Sequence, residues 1–110
     1  MRTLLLIALL LFIAPASSAQ TPKDADDFYN RGFDRQVKGD VEGALADYTR
    51  AITIDPRNAS AYANRGVLRL QAGQTKLAEQ DFDEAVKLDP SLKPSLGKYL
   101  EEMKKRKAND

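Results

Sequence analysis

Arginine and aspartate are the residue types whose spacing first suggests chemistry in this chain. Arg31 and Asp47 stand sixteen residues apart, and Arg65 and Asp81 repeat both the types and the interval. A guanidinium facing a carboxylate either locks two segments together or helps hold a ligand. Little else offers chemistry. The chain has no His and no Cys. General acid–base catalysis near neutrality usually relies on His, a thiol nucleophile is impossible, and the usual ligands of structural zinc are missing. Ser60, Ser91 and Ser95 have no base at a suggestive spacing. The carboxylates are scattered as solvation requires, and no Gly-rich phosphate loop follows a strand. The expectation is a protein with no catalytic residue, no metal and no cofactor, in which the two Arg–Asp pairs are structural.

Composition narrows the class further. A chain of 110 residues is sized for one small domain. Its first stretch has the layout of a secretory signal peptide. Met1-Arg2 supplies a positive start, Leu4 to Ala14 is an unbroken apolar run of eleven residues, and Pro15 and Ser17-Ser18-Ala19 precede Gln20. Cleavage after Ala19 is expected, which makes the protein secreted or periplasmic. The apolar run is short for a membrane span of about 20 residues. The alternative is an uncleaved anchor stretched over Thr3 to Ala19, and membrane contact is expected only through such a segment. No Cys stands at the cut to carry a lipid. Removing residues 1–19 takes away one charge, Arg2, from 17 basic and 16 acidic side chains, and leaves the remainder balanced. A nucleic-acid binder should carry a basic excess, so no nucleic-acid partner is expected.

The chain repeats itself. When 25–58 is aligned with 59–92 without a gap, eleven of the thirty-four pairs are identical, among them Asn30/Asn64, Arg31/Arg65, Gly32/Gly66, Arg35/Arg69, Gly39/Gly73, Asp47/Asp81 and Pro56/Pro90. Each unit reads as two helices, expected over 24–38 and 41–54 and again over 59–72 and 75–88. Gly39 and Gly73 suit left-handed C-caps. Asp40 and Thr75 suit N-caps, as do Asn58 and Ser91, and Thr21-Pro22-Lys23-Asp24 has the form of a capping box. Asp55-Pro56 and Asp89-Pro90 end the second helices. Gly32, Gly66, Ala44 and Ala78 let helices approach closely, and Phe28, Tyr48, Tyr62 and Phe82 are expected to fill the core around them. A third amphipathic segment places Leu92, Leu96, Tyr99, Leu100 and Met103 on one face and charges on the other. It reads as a solvating cap helix that ends in Lys104-Lys105-Arg106-Lys107.

The period of thirty-four residues, the helix–turn–helix and the run Gly32, Gly39, Ala44, Tyr48, Ala51, Pro56, mirrored by Gly66, Gly73, Ala78, Phe82, Ala85, Pro90, resemble the tetratricopeptide repeat. The fold class implied is all-α: a helical-hairpin solenoid of two repeats plus a C-terminal capping helix. The expected organisation is signal peptide 1–19, linker 20–24, repeats 25–58 and 59–92, capping helix 93–107 and tail 108–110. The resemblance implies that each unit's first helix lines a concave binding surface. Carried over by alignment, that surface comprises Asp26, Tyr29, Phe33, Gln36 and Val37, then Ser60, Ala63, Asn64, Val67, Leu70 and Gln71. Tyr29, Phe33, Val37, Val67 and Leu70 make an apolar strip on it. The family's clamp for acidic peptide tails needs several Lys, Arg and Asn residues, and only Asn64 and Lys98 match. The resemblance therefore does not extend to carboxylate-tail recognition.

Two functions fit. In one, the strip takes a peptide or helix of a partner protein. In the other it is buried in a homodimer, since two repeats are fewer than the three or more such stacks usually need.

Overall fold

The computed structural model describes residues 22–110. The expected signal peptide and Thr21 lie outside the described residues. Five α-helices follow in order: α1 Ala25–Val37, α2 Val41–Ile54, α3 Ala59–Gln71, α4 Thr75–Leu88 and α5 Lys93–Ala108, with a short 3-10 turn Pro90–Leu92 before α5. No strand occurs among the described residues. The chain is an all-α repeat stack, as its period implies.

The turns explain the hairpins. Gly39 and Gly73 take φ of 85° and 81°, a conformation that side chains with a Cβ resist. Around them the Asp40 amide donates to the Arg35 carbonyl, and the Gln74 amide donates to the Arg69 carbonyl. These bonds satisfy carbonyls that the helix ends would leave free. Helix starts are capped by short acidic or amide side chains. Asp24 Oδ1 accepts from the Asp27 amide at 2.9 Å, while Asp27 Oδ2 accepts from the Lys23 amide at 3.1 Å. This reciprocal box is centred on Asp24, not Thr21, because the helix starts at Ala25. Asp40 and Asn58 cap α2 and α3 through the amides of Gly43 and Ala61. Thr75 is no cap: it is the first helical residue, and Gln74 before it makes no side-chain cap bond. Ser91 is no cap either. It lies inside the 3-10 turn, bonded to Asp89 Oδ1, and α5 starts after Leu92 with no side-chain cap.

The core consists of two apolar clusters, each closed by the next element in sequence. Ala44 and Tyr48 of α2 are joined by Leu68 of α3. Ala78, Phe82 and Ala85 of α4 are joined by Leu96 of α5, with Leu100 and Met103 packed against them. The cap helix thus covers the second repeat as α3 covers the first. Tyr48 and Phe82 are core residues, as expected. Phe28 and Tyr62 are only half-buried. Arginines lie over their rings, Arg31 at 5.5 Å and Arg50 at 5.8 Å from the Phe28 centroid and Arg65 at 5.6 Å from that of Tyr62, so each ring carries a cation over its face.

The start of the stack is finished differently. Ala61 and Leu68 of α3 are buried against the first repeat. Their counterparts thirty-four residues earlier are Asp27 and Asp34, both exposed. Carboxylates on that side of α1 solvate the terminal face, as end repeats of such stacks require.

Candidate partner-binding face

The repeated Arg–Asp pairs form as expected, with a second arginine added. Asp47 and Asp81 are 2% and 3% exposed. Arg31 grips Asp47 through Nε and Nη2 at 2.9 and 2.8 Å, and Arg65 grips Asp81 in the same way at 3.0 and 2.7 Å. Arg35 and Arg69 add one bond each, at 3.1 and 2.8 Å. The hydrogen bonds to Asp47 push the Arg31 guanidinium above its already high pKa. Each carboxylate is thus buried between two guanidinium groups of the neighbouring helix, which is what a buried charge needs. The forks tie α1 to α2 and α3 to α4 and occupy the carboxylates of Asp47 and Asp81. The identity of Arg35 and Arg69 in the repeat was the signal for the second arm. Among the described residues, no group of three or more His, Cys, Asp or Glu side chains could hold a metal ion.

The face carried by α1 and α3 is built from side chains at helical spacing. On α1, Asp26, Phe33 and Val37 are exposed, while Tyr29 and Gln36 are half-buried. Phe33 is 49% exposed and Val37 72% exposed. Separated by four residues, they lie one above the other on the helix surface. On α3, Ser60 and Gln71 are exposed, and Asn64 and Val67 are half-buried.

Ala63 and Leu70 do not belong to this exposed set. Both are buried, at 8% and 6%, in the cluster that Leu96 of α5 closes. In the first repeat the corresponding residues are half-buried: Tyr29 meets Asn64 of α3, the next helix along, and Gln36 accepts from Tyr48 of α2. In the second repeat the next helix is α5. The open apolar strip is therefore Tyr29, Phe33, Val37 and Val67, concentrated on α1.

A polar network backs the strip. Tyr48 donates from its hydroxyl to Gln36 Oε1 at 2.5 Å, and Asn64 Nδ2 donates to the hydroxyls of Tyr29 and Tyr48 at 3.1 and 3.4 Å. The Tyr29 and Tyr48 rings lie 5.8 Å apart. Burial pushes the Tyr48 hydroxyl up to about 12, with the Asn64 bond opposing and Tyr29 adding to the rise. Asn64, the one clamp-like residue on α3, thus spends its amide hydrogens on tyrosines. Gln71 Nε2 donates to the Tyr99 hydroxyl at 3.0 Å, which brings α5 to the margin of the face. By spacing Tyr99 belongs to the apolar stripe of α5, and its hydroxyl gives no periodic signal.

The arrangement offers a two-helix platform with an apolar ridge, neutral apart from Asp26.

Comparison with known protein families agrees with the period and the hairpins. A TPR repeat model matches residues 38–73 and a tetratricopeptide repeat model matches residues 59–92. Together they span 38–92, half of the chain. No curated protein matches the sequence. Repeats of this type mediate binding between proteins. With its thirty-four-residue unit, paired helices and matching family models, the chain belongs to the tetratricopeptide repeat family.

Proposed function

We propose that the protein is an exported interaction module that takes an apolar peptide or helix of a partner protein on the concave α1/α3 face. The observation that carries this reading is the unpartnered pair Phe33 and Val37, held on a helix that Asp47 and Tyr48 fix from behind. Exposed apolar side chains on a rigid element mark contact surfaces. Apolar anchors separated by four residues fit an extended or helical segment laid along α1. Export rests on the signal-like layout of residues 1–19, and the reading assigns no catalytic step.

The test is Phe33→Glu in the full chain, read by crosslinking for a partner in the cell envelope and by light scattering for mass. Phe33 is about half exposed, so the folded state should lose little stability, within roughly 0.5 kcal/mol. An interaction module stays monomeric and folded and loses its crosslinked partner. If the wild-type mass is that of a dimer and the substitution halves it, the same ridge serves self-association instead. If neither mass nor crosslinking responds, the binding face lies elsewhere.

A further inference from the structure

A second surface lies at the edge where the hairpins turn. The turns at 38–40 and 72–74 bring the C-terminal ends of α1 and α3 and the N-terminal ends of α2 and α4 to one edge of the stack. α5 delivers its own C-terminal turns there. Lys104 Nζ lies 2.7 Å from Glu79 Oε1 of α4. Met103, Arg106 and Lys107 share a cleft of about 460 Å³ with Leu70, Gly73 and Thr75 at the second turn.

This edge combines cations with exposed apolar side chains. Lys38, Lys76, Lys105, Arg106 and Lys107 are exposed on it. Val41 and Leu77, in the first turns of α2 and α4, belong to the few large apolar residues left open to solvent. Of the edge carboxylates, Glu79 faces Lys104 and Asp40 faces Arg35, which leaves Asp34, Glu42 and Asp110 without an ion pair among the described residues. The opposite edge carries the N-terminal turn of α1 and the turns that begin at Asp55 and Asp89, where Asp24, Asp26 and Asp27 are accompanied by Lys23, Arg57 and Lys93. Cations are therefore in excess at the hairpin-turn edge, whereas the opposite edge mixes both signs.

We propose that the basic hairpin-turn edge docks on an anionic lipid surface. Val41 and Leu77 stand thirty-six residues apart, in the first turns of α2 and α4, and neither lines the cleft. Isolated apolar side chains among lysines and arginines have the composition of an interfacial contact. An acidic peptide would use the cations and leave these two side chains idle. Among the described residues no helix is long and apolar enough to cross a membrane, so the contact is peripheral. It is separate from any contact through the N-terminal segment, and it leaves the α1/α3 ridge free for a protein partner.

Co-flotation of the full chain with two kinds of vesicle tests this. One kind is phosphatidylcholine alone, and the other contains equal parts phosphatidylcholine and phosphatidylglycerol. Binding through the apolar N-terminal run appears on both, and the edge appears as the difference. Each cation near an anionic surface raises partitioning roughly fivefold. Replacing Lys105, Arg106 and Lys107 with Gln should therefore lower the excess on phosphatidylglycerol by at least about tenfold. Leu77→Ser should lower it less, and raising the salt should suppress it. Lys93→Gln with Lys98→Gln removes charge elsewhere on α5 and should leave most of the excess in place. Circular dichroism checks that each variant is folded. Equal wild-type binding to both vesicles overturns the proposal, as does an excess that survives the triple substitution or falls as far with the Lys93/Lys98 pair. Charge-dependent binding to polyglutamate without binding to phosphatidylglycerol overturns it in favour of an acidic peptide. A concentration-dependent mass abolished by the triple substitution, without vesicle binding, overturns it in favour of end-to-end self-association.

Discussion

Gly66 faces the ring of Phe82 so closely that a Cβ placed on it would lie 2.6 Å from Phe82 Cε1 and 3.1 Å from Asp81 Cβ. The ring is held in the second core cluster and cannot retreat cheaply. Gly66→Ala should therefore destabilise the protein by about 1–3 kcal/mol through overpacking. Gly97, on the exposed side of α5, has no atom within 4 Å of such a Cβ. Gly97→Ala should stabilise by about 0.5–1 kcal/mol, because it removes only unfolded-state freedom. Thermal unfolding of the two variants should move Tm in opposite directions. If both fall, the open surroundings of Gly97 are misjudged.

The same contrast shows which features of the fold were legible in the sequence. The bounds of α2 and α4 follow from local chemistry: a glycine that stops the preceding helix and an Asp-Pro that stops the next. The Arg–Asp forks follow from identical types at identical spacing. Burial across the stack was less legible, because it depends on what lies beside each helix. Ala63 and Leu70 were carried onto the binding face by alignment, yet their positions point at the following helix, and α5 supplies one. Asp27 and Asp34 against Ala61 and Leu68 held the matching clue for the other end of the stack. Thr75 drew the cap assignment by residue type, although Asp40 aligns with Gln74.

Gln74 is the cap of α4 and makes no side-chain bond, whereas Asp24, Asp40 and Asn58 each bond an amide of the helix they start. Gln74→Asp should supply the missing acceptor and a charge suited to the helix N-terminus. A gain of about 1 kcal/mol is expected in urea unfolding. The mirror change, Asp40→Ala, should lose a similar amount. An unchanged midpoint for Gln74→Asp would mean that the turn after Gly73 cannot bring a short side chain onto the α4 amides.

Asp47 and Asp81 hold the same number of arginines in different surroundings. The side chains of Arg31 and Arg35 are 39% and 36% exposed, against 13% and 21% for Arg65 and Arg69. Removing a carboxylate costs most where the cations left behind cannot reach water. Asp81→Asn should cost about 3 kcal/mol. Asp47→Asn should cost nearer 1 kcal/mol, since water can solvate its arginines. Denaturant titration of the two variants should preserve that order, and a larger loss at Asp47 would show that exposure does not govern these forks.

Tyr48 gives the fold a dependence on alkaline pH. Its hydroxyl is pushed up to about 12 from an ordinary 10.0, mainly by burial. Above pH 10 the unfolded chain releases this proton while the folded chain keeps it. The stabilisation is therefore complete below pH 10 and is lost as pH rises from about 10 to about 12. The change is at most about 3 kcal/mol, and nearer 1 after screening by water around the hydroxyl cluster. Tyr48→Phe removes the ionisable group, and Phe82 in the second repeat shows that a phenyl ring suits the position. The variant leaves Asn64 and Gln36 without one partner each, at a cost of about 1 kcal/mol near neutrality. The remaining tyrosines are common to both proteins, so the difference between the two stability curves isolates Tyr48. That difference should shrink steadily between pH 10 and 12. A constant gap across that range would mean that the hydroxyl titrates alike in the folded and unfolded chains and is not held dry between Gln36 and Asn64.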